Sequence, residues 1–159
     1  WLSNTAYAST LLFVTVAILH LDLYTAGHEV LVALGGYVVL QDQEMLHTLE
    51  EWPTIYSAAL IMVNQCSSYY RNHSSHAQWL DLLATVGRYG LLDMEWPSLG
   101  VTVEYMPGTL VAFSDKLVQH GVGHAEDHRV SITFYMKKNV HDAVEVGKAG
   151  WAIHSLLLD

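Results

Sequence analysis

The sequence predicts a mainly β domain that contains one helical insert. Residues 101–105 and 129–136 alternate in polarity, which is the pattern of strands with one buried face. Residues 11–24 and 29–40 are rich in Val, Leu and Ile, whereas residues 42–87 carry apolar side chains at helical spacing. A chain of 159 residues with 52% apolar content is expected to form one domain, residues 1–159, around one core.

The N-terminal region is predicted to contribute two strands. Residues 29–40 surround Gly35-Gly36, where a bulge or turn is expected. The longest apolar run, Leu11–Leu19, is shorter than the ~20 residues that a membrane-spanning helix needs, so no membrane association is predicted. Residues 11–24 are expected to form a buried strand because their centre is β-branched, with Val14, Thr15, Val16 and Ile18.

A helical insert is predicted over about 42–87. Its first helix, residues 42–52, is expected to stop at Pro53. A second helix is predicted over residues 54–66, with Thr54 as its N-cap. A third is predicted from the capping-box pair Ser75 and Gln78 up to Gly87 or Gly90.

Strand patterns return in the C-terminal half. Turns are expected at Pro107-Gly108 and at residues 114–116, and a polar loop at residues 123–128. The tail from His141 is predicted to be helical. The predicted strands cover residues 101–105, 109–113, 117–122 and 129–136.

The charge balance limits the classes of partner. With 16 acidic and 7 basic residues, the formal net charge is −9, which disfavours binding to duplex nucleic acid and leaves a small or single-stranded substrate open. The single cysteine, Cys66, excludes an internal disulfide and favours a reducing compartment. We therefore expect an intracellular protein, cytoplasmic or nuclear.

The pattern His20-Leu21-Asp22 is a candidate for two metal ligands. Residues two apart on a strand point to the same face, so an imidazole and a carboxylate would lie side by side. These are two ligands of a 2-His-1-carboxylate iron site, which leaves coordination positions open for oxygen and a cosubstrate. The alternative is a hydrogen-bonded His–Asp pair at a strand end.

A distant histidine is needed to complete such a site. His120 lies in a short apolar strand that follows a turn, which makes it the strongest candidate for the third ligand. His124 and His128 are close competitors, but both lie in the polar loop, where histidines are usually solvated.

The strand at residues 129–136 offers a candidate anion site. Arg129, Ser131, Thr133 and Tyr135 share one face of this strand. A guanidinium group binds a carboxylate with two hydrogen bonds, and a serine hydroxyl can add a third. Inside a barrel, this face would suit a dicarboxylate. The alternative is an edge strand whose polar face meets water.

The order of these motifs resembles that of the iron(II)/2-oxoglutarate-dependent dioxygenases. The sequence has H-x-D first, then Pro107-Gly108-Thr109 with a strand, then His120-Gly121-Val122, and then Arg129-Val130-Ser131. It resembles especially the fungal relatives of the base-J and ten-eleven-translocation type oxygenases. The resemblance implies a double-stranded β-helix, or jelly-roll, core with the helical insert within it.

The resemblance also implies an activity and a set of site residues. His20, Asp22 and His120 would bind iron(II) and form the catalytic centre. Arg129 would pair with the far carboxylate of the cosubstrate 2-oxoglutarate, assisted by Ser131. Ascorbate is a further candidate cofactor. The expected reaction is hydroxylation of a C–H bond, with a modified nucleobase among the candidate substrates.

Two other functions remain open at this point. One is a catalytically inert β-barrel binding or interaction module that derives from such an enzyme. The other is a cupin-type metal protein that does not use 2-oxoglutarate, for which Arg129 would serve no purpose. The oligomeric state is not predicted.

Overall fold

The described part of the chain divides into two compact units. The computed structural model describes residues 2–152, with side chains described from Tyr7 onward. One unit, the helical unit, comprises Trp1–Ser57 and Lys137–Asp159. The other, the sheet unit, comprises Ala58–Met136. Within the described range, no helix has both the length and the apolar character needed to cross a membrane.

The helical unit contains the regions that were predicted to be N-terminal strands. That prediction is wrong: residues 11–24 and 29–40 lie in two helices with buried positions at helical spacing, among them Phe13, Val16, Leu23, Ala26 and Val30. β-branched residues lower helix propensity only slightly, so packing of this buried face overrides them. The helices are α1 Leu2–Leu19, α2 Leu21–Val38, α3 Gln43–Glu51 and α4 Lys138–Ala143.

The sheet unit is a jelly roll, and the predicted mainly β fold class is confirmed. Its eight strands form two four-stranded antiparallel sheets, the major sheet in the order β1-β8-β3-β6 and the minor sheet in the order β2-β7-β4-β5. The strands are β1 Ala58–Val63, β2 Ser67–Tyr70, β3 Asp81–Arg88, β4 Asp93–Trp96, β5 Val101–Glu104, β6 Leu110–Phe113, β7 His120–Val122 and β8 His128–Tyr135.

The predicted helical insert over 42–87 is correct only for its first helix. Residues 54–66 and 75–87, predicted to be helices, contribute β1 and β3 instead. A short apolar run fits a buried strand and a helix equally well by spacing alone. The outcome is decided by long-range pairing, because β8 lies between β1 and β3 and pairs with both along most of its length.

The C-terminal strands agree with the sequence pattern. The strands predicted at residues 101–105, 109–113, 117–122 and 129–136 correspond to β5, β6, β7 and β8. The prediction of a helical tail from His141 is correct only for residues 141–143, which end α4 Lys138–Ala143. Residues 144–152 are not helical, and the rest of the tail lies outside the described residues. These strands surround a buried cluster of Leu83, Tyr89, Leu92, Met94, Tyr105, Phe113, Val122 and Ala125.

Candidate functional site in the sheet unit

His20 and Asp22 lie on helix α2 of the helical unit and not on a strand. His20 is the N-cap residue, and its Nδ1 accepts a hydrogen bond from the backbone N–H of Leu23 at 3.4 Å. Asp22 is exposed in the first turn, where a carboxylate interacts favourably with the helix dipole. Residues two apart on a helix point about 200° apart, so the strand geometry that was predicted for His20 and Asp22 is wrong.

His120 lies on β7 in the sheet unit and is buried. Its ring packs at 4.7 Å from the ring of Phe113 and at 4.5 Å from the ring of Tyr70, its partner across β2 and β7. Its Nδ1 lies 3.4 Å from Oδ1 of Asp115. Burial lowers the pKa of His120, and the nearby Asp115 offsets part of this effect. The imidazole is thus favoured in its neutral form.

The described residues contain no complete cluster of metal ligands. Among them, no group of three or more His, Cys, Asp or Glu side chains could hold a metal ion. His20 and Asp22 belong to one unit and His120 to the other. Iron binding by this chain therefore remains a prediction, for which the described residues offer no complete ligand set.

A buried carboxyl pair, Asp81 and Asp115, lies beside His120. Asp81 begins β3 and is 1% exposed, and Asp115 follows β6 and is 4% exposed. Burial raises the pKa of Asp81 well above its usual range, and the adjacent Asp115 raises it further. A single proton shared by two adjacent carboxyl groups relieves their repulsion, so the pair can donate and accept a proton.

Asp115 has several neighbours that favour its ionised form. Burial raises its pKa, but His120, the backbone of Asn72, Asp81 and Tyr70 each lower it in part. Burial and the two carboxylates raise the pKa of Tyr70 to about 12, so its phenol stays protonated and can donate to Asp115. Asp115 is thus the member of the pair that carries the charge.

The loop between β2 and β3 is anchored to the turn that carries Asp115. The backbone N–H of Asn72 donates to the carbonyl of Asp115 at 3.0 Å. Nζ of Lys116 donates to the carbonyl of Ser75 at 2.8 Å. These bonds hold the loop against the turn and fix the position of the carboxyl pair.

Arg129 is a buried cation at the start of β8. It is 4% exposed, and its guanidinium carbon lies 5.4 Å from the centre of the Tyr105 ring. One guanidinium nitrogen donates to the carbonyl of Gln65 at 2.8 Å, while Nε has no hydrogen-bond partner among the described residues. The ion pairs found in the described part of the chain do not include Arg129.

The first half of β8 buries its polar face. Arg129, Ser131 and Thr133 are buried, whereas Val130 and Ile132 are only half-buried. In the second half, Phe134 of the apolar face is buried and Tyr135 of the polar face is half-buried. β8 is also a central strand of the major sheet. The alternative of an edge strand with its polar side in water is therefore wrong.

Glycine is required at position 87, opposite Arg129 in the β3–β8 register. Gly87 has a φ of +137°, which side chains rarely adopt. A Cβ atom at this position would lie 2.1 Å from the carbonyl oxygen of His128. The close approach of the two backbones here helps to place the Arg129 side chain.

Sequence reasoning did not identify the polar neighbours of His120. Tyr70 and Asp81 fell within the segment interpreted as a helical insert, and Asp115 was interpreted only as a turn residue. Asp81 directly precedes the apolar run Leu82-Leu83-Ala84. A carboxylate next to a buried apolar segment was the one sequence signal that could have marked Asp81 as a site residue.

Comparison with known proteins supports the fold and no closer relationship. No family model and no curated protein matches the chain. A solved structure, NgTET1 in complex with 5mC DNA, is similar with a TM-score of 0.51 and 14% identity over 66% of this chain. At this identity, the likeness shows the fold alone.

The extent of this likeness is limited. The chain spans only 42% of the length of NgTET1. A second structure, the QdtA 3,4-ketoisomerase from Thermoanaerobacterium thermosaccharolyticum in complex with TDP, has a TM-score of 0.37 and 13% identity, and covers 53% of this chain and 61% of its own. A TM-score of 0.37 is too low to support a functional comparison.

Proposed function

We propose that the sheet unit binds a small carboxylic acid through Arg129, with 2-oxoglutarate as the first candidate. The observation that supports this proposal is a buried guanidinium group with no carboxylate partner among the described residues. An unpaired buried charge is costly, and proteins usually neutralise it with a counter-ion. A carboxylate ligand would supply that counter-ion.

Hydrogen-bonding groups beside Arg129 suit the same ligand. Ser131 is two residues along β8 on the same buried face, and Thr85 is its partner on β3. The hydroxyl of Tyr105, whose ring contacts the guanidinium group, has no hydrogen-bond partner among the described residues. A guanidinium group flanked by hydroxyls is a typical carboxylate-binding arrangement.

Iron-dependent oxygenation of a C–H bond is a second candidate function. It is favoured by the TET-type fold and by the buried His120 beside Asp115, since a histidine and a carboxylate are two of the three ligands required. Bound iron(II) would supply the oxygen activation. The described residues contain no third ligand close enough, so the carboxylate-binding function has the stronger support.

The Arg129→Met variant tests the primary proposal. We expect wild type to bind 2-oxoglutarate in calorimetric titration without added metal, and the variant to bind at least about 100-fold more weakly, because a charge-assisted bidentate contact is lost. Methionine fills a similar volume without a charge, so the fold should be retained.

Arg88→Met is the matched control, because Arg88 is exposed at the end of the same strand pair. It should bind 2-oxoglutarate like wild type. Equal affinity of wild type and Arg129→Met, with both variants folded, would refute the proposed role of Arg129.

Succinate formation separates the two candidate functions. Wild type and His120→Ala would be incubated with 2-oxoglutarate, iron(II) and ascorbate, and succinate would be quantified. For a binding domain, we expect both to match the protein-free background. Succinate from wild type and none from His120→Ala would establish the oxygenase instead.

A further inference from the structure

The strand β1 is an edge of the major sheet with unused hydrogen-bonding groups. The backbone N–H of Asn64 donates to the carbonyl of Arg129 at 2.8 Å, so this residue and every second one before it face β8. The N–H and C=O groups of Ala59, Ile61 and Val63 therefore point away from β8. They form no backbone hydrogen bond to any residue in the described part of the chain.

This edge lacks the features that usually protect edge strands from pairing. Ala58–Val63 contains no lysine, no proline and no charge. Its apolar side chains are half exposed on both faces of the strand, with Leu60 at 46%, Ile61 at 44% and Val63 at 57%. An exposed apolar edge of this kind is a template for another strand.

The other three edges of the two sheets are better protected. β2, β5 and β6 each have four residues, against six in β1. β2 ends next to Arg71, β5 contains Glu104, and β6 is flanked by Pro107-Gly108 and Asp115-Lys116. The unprotected edge is thus specific to β1.

The charge distribution indicates which partner fits this edge. No charged residue occurs between Glu51 and Arg71, in a chain whose net charge is −9. Two copies of this chain repel each other over most of their surface, but at β1 they can approach without placing like charges opposite each other. An antiparallel pair about a two-fold axis also places the same neutral residues against each other.

We propose that β1 pairs with β1 of a second copy, so that two major sheets join into one continuous antiparallel sheet. The outward N–H and C=O groups of Ala59, Ile61 and Val63 bond across the two-fold axis. The exposed side chains of Leu60, Ile61 and Val63 pack against their counterparts. This inference is independent of carboxylate binding by Arg129.

The oligomeric state of the full chain in solution tests this interface. Light scattering over a range of concentrations should give a mass twice the 17.8 kDa of one chain. Ile61→Pro removes an outward N–H and leaves the bonds to β8 in place, and proline is tolerated on edge strands. We expect this variant to weaken dimerisation roughly tenfold or more.

Ile61→Lys provides a second test, should proline disturb the fold, because it places two like charges at the axis. Leu99→Lys is its matched control, since Leu99 is 59% exposed and lies outside the eight strands. Dimers in wild type and Leu99→Lys, and monomers in a folded Ile61 variant, would support the interface. A monomeric wild type, or dimers that persist in Ile61→Lys, would overturn it. So would a monomer whose Ala59, Ile61 and Val63 amides resist hydrogen exchange, because another segment would then occupy the edge.

Discussion

Replacing Gly87 with alanine is expected to destabilise the sheet unit by about 3 kcal/mol or more. The φ of +137° is strained for any residue with a side chain, and the new Cβ would meet the His128 carbonyl oxygen at 2.1 Å. The clash involves backbone on both sides, so no side-chain rotation can relieve it. The two strands must separate, and the major sheet loses pairing at its centre.

Denaturant unfolding of the Gly87→Ala variant measures this effect. Gly90→Ala is the matched control, because a Cβ atom at position 90 would meet nothing within 4 Å. The free energy of unfolding of Gly90→Ala should lie within about 1 kcal/mol of that of wild type. We also expect Gly87→Ala to weaken carboxylate binding, since Gly87 is the register partner of Arg129. If Gly87→Ala is as stable as Gly90→Ala, β3 and β8 have room for a Cβ atom at position 87, which would contradict their close approach.

Replacing Asp81 with asparagine is expected to stabilise the sheet unit, and increasingly so as the pH rises. The folded state holds Asp81 protonated, because burial and Asp115 raise its pKa well above the usual value of 3.8. The unfolded chain releases this proton once the pH exceeds about 4. Protonated Asp81 thus contributes its full stabilisation below about pH 4, and this contribution is lost as the pH rises towards the folded-state pKa.

Asparagine resembles the protonated acid and does not titrate. The gain in stability over wild type should therefore be small at pH 4 and grow up to pH 8, because wild type progressively loses the stabilisation that protonated Asp81 provides. Melting temperatures at pH 4, 6 and 8 would show the widening gap. Asp93→Asn changes an exposed site on β4, and its melting temperature should differ from that of wild type by the same amount at all three pH values. A gap that does not grow with pH would mean that Asp81 is ionised in the folded protein.

His120 should contribute a pH dependence of the opposite direction. Its pKa is lowered by burial, so the unfolded chain binds a proton that the folded chain does not. Stability from His120 is present above its usual pKa of 6.5 and falls as the pH drops below it. The Asp81→Asn variant keeps His120, so its stability should still fall as the pH drops below 6.5. The pH effect of His120 can therefore be measured in this variant without that of Asp81.

Much of the C-terminal half could be predicted from local pattern. The strands β5 to β8 alternate in polarity or lie between turn residues, and such signals act over a few neighbouring residues. The same alternation placed Arg129 and Ser131 on one face of a strand, but it left open whether that face is buried or meets water. The structure shows that both side chains are buried.

The N-terminal half shows where local pattern fails. The apolar runs within residues 11–40 became helices although their β-branched residues favoured strands, and those within residues 54–88 became strands although their spacing favoured helices. Short apolar runs satisfy both periods, so local propensity differs by less than the packing energy that selects between them. His20 and Asp22 were consequently expected on a strand, whereas they lie at the start of a helix in the unit that does not contain His120.

Alternation and turn residues act over a few neighbouring positions, so they were enough to predict a mainly β protein with Arg129 and Ser131 on one face of a strand. The packing of distant segments is what brings Tyr70, Asp81, Asp115 and His120 together. It also buries Arg129 without an acidic partner among the described residues. These residues come from strands and turns far apart in the chain. Their proximity depends on the pairing of β2 with β7 and of β3 with β6 and β8, which no local pattern encodes.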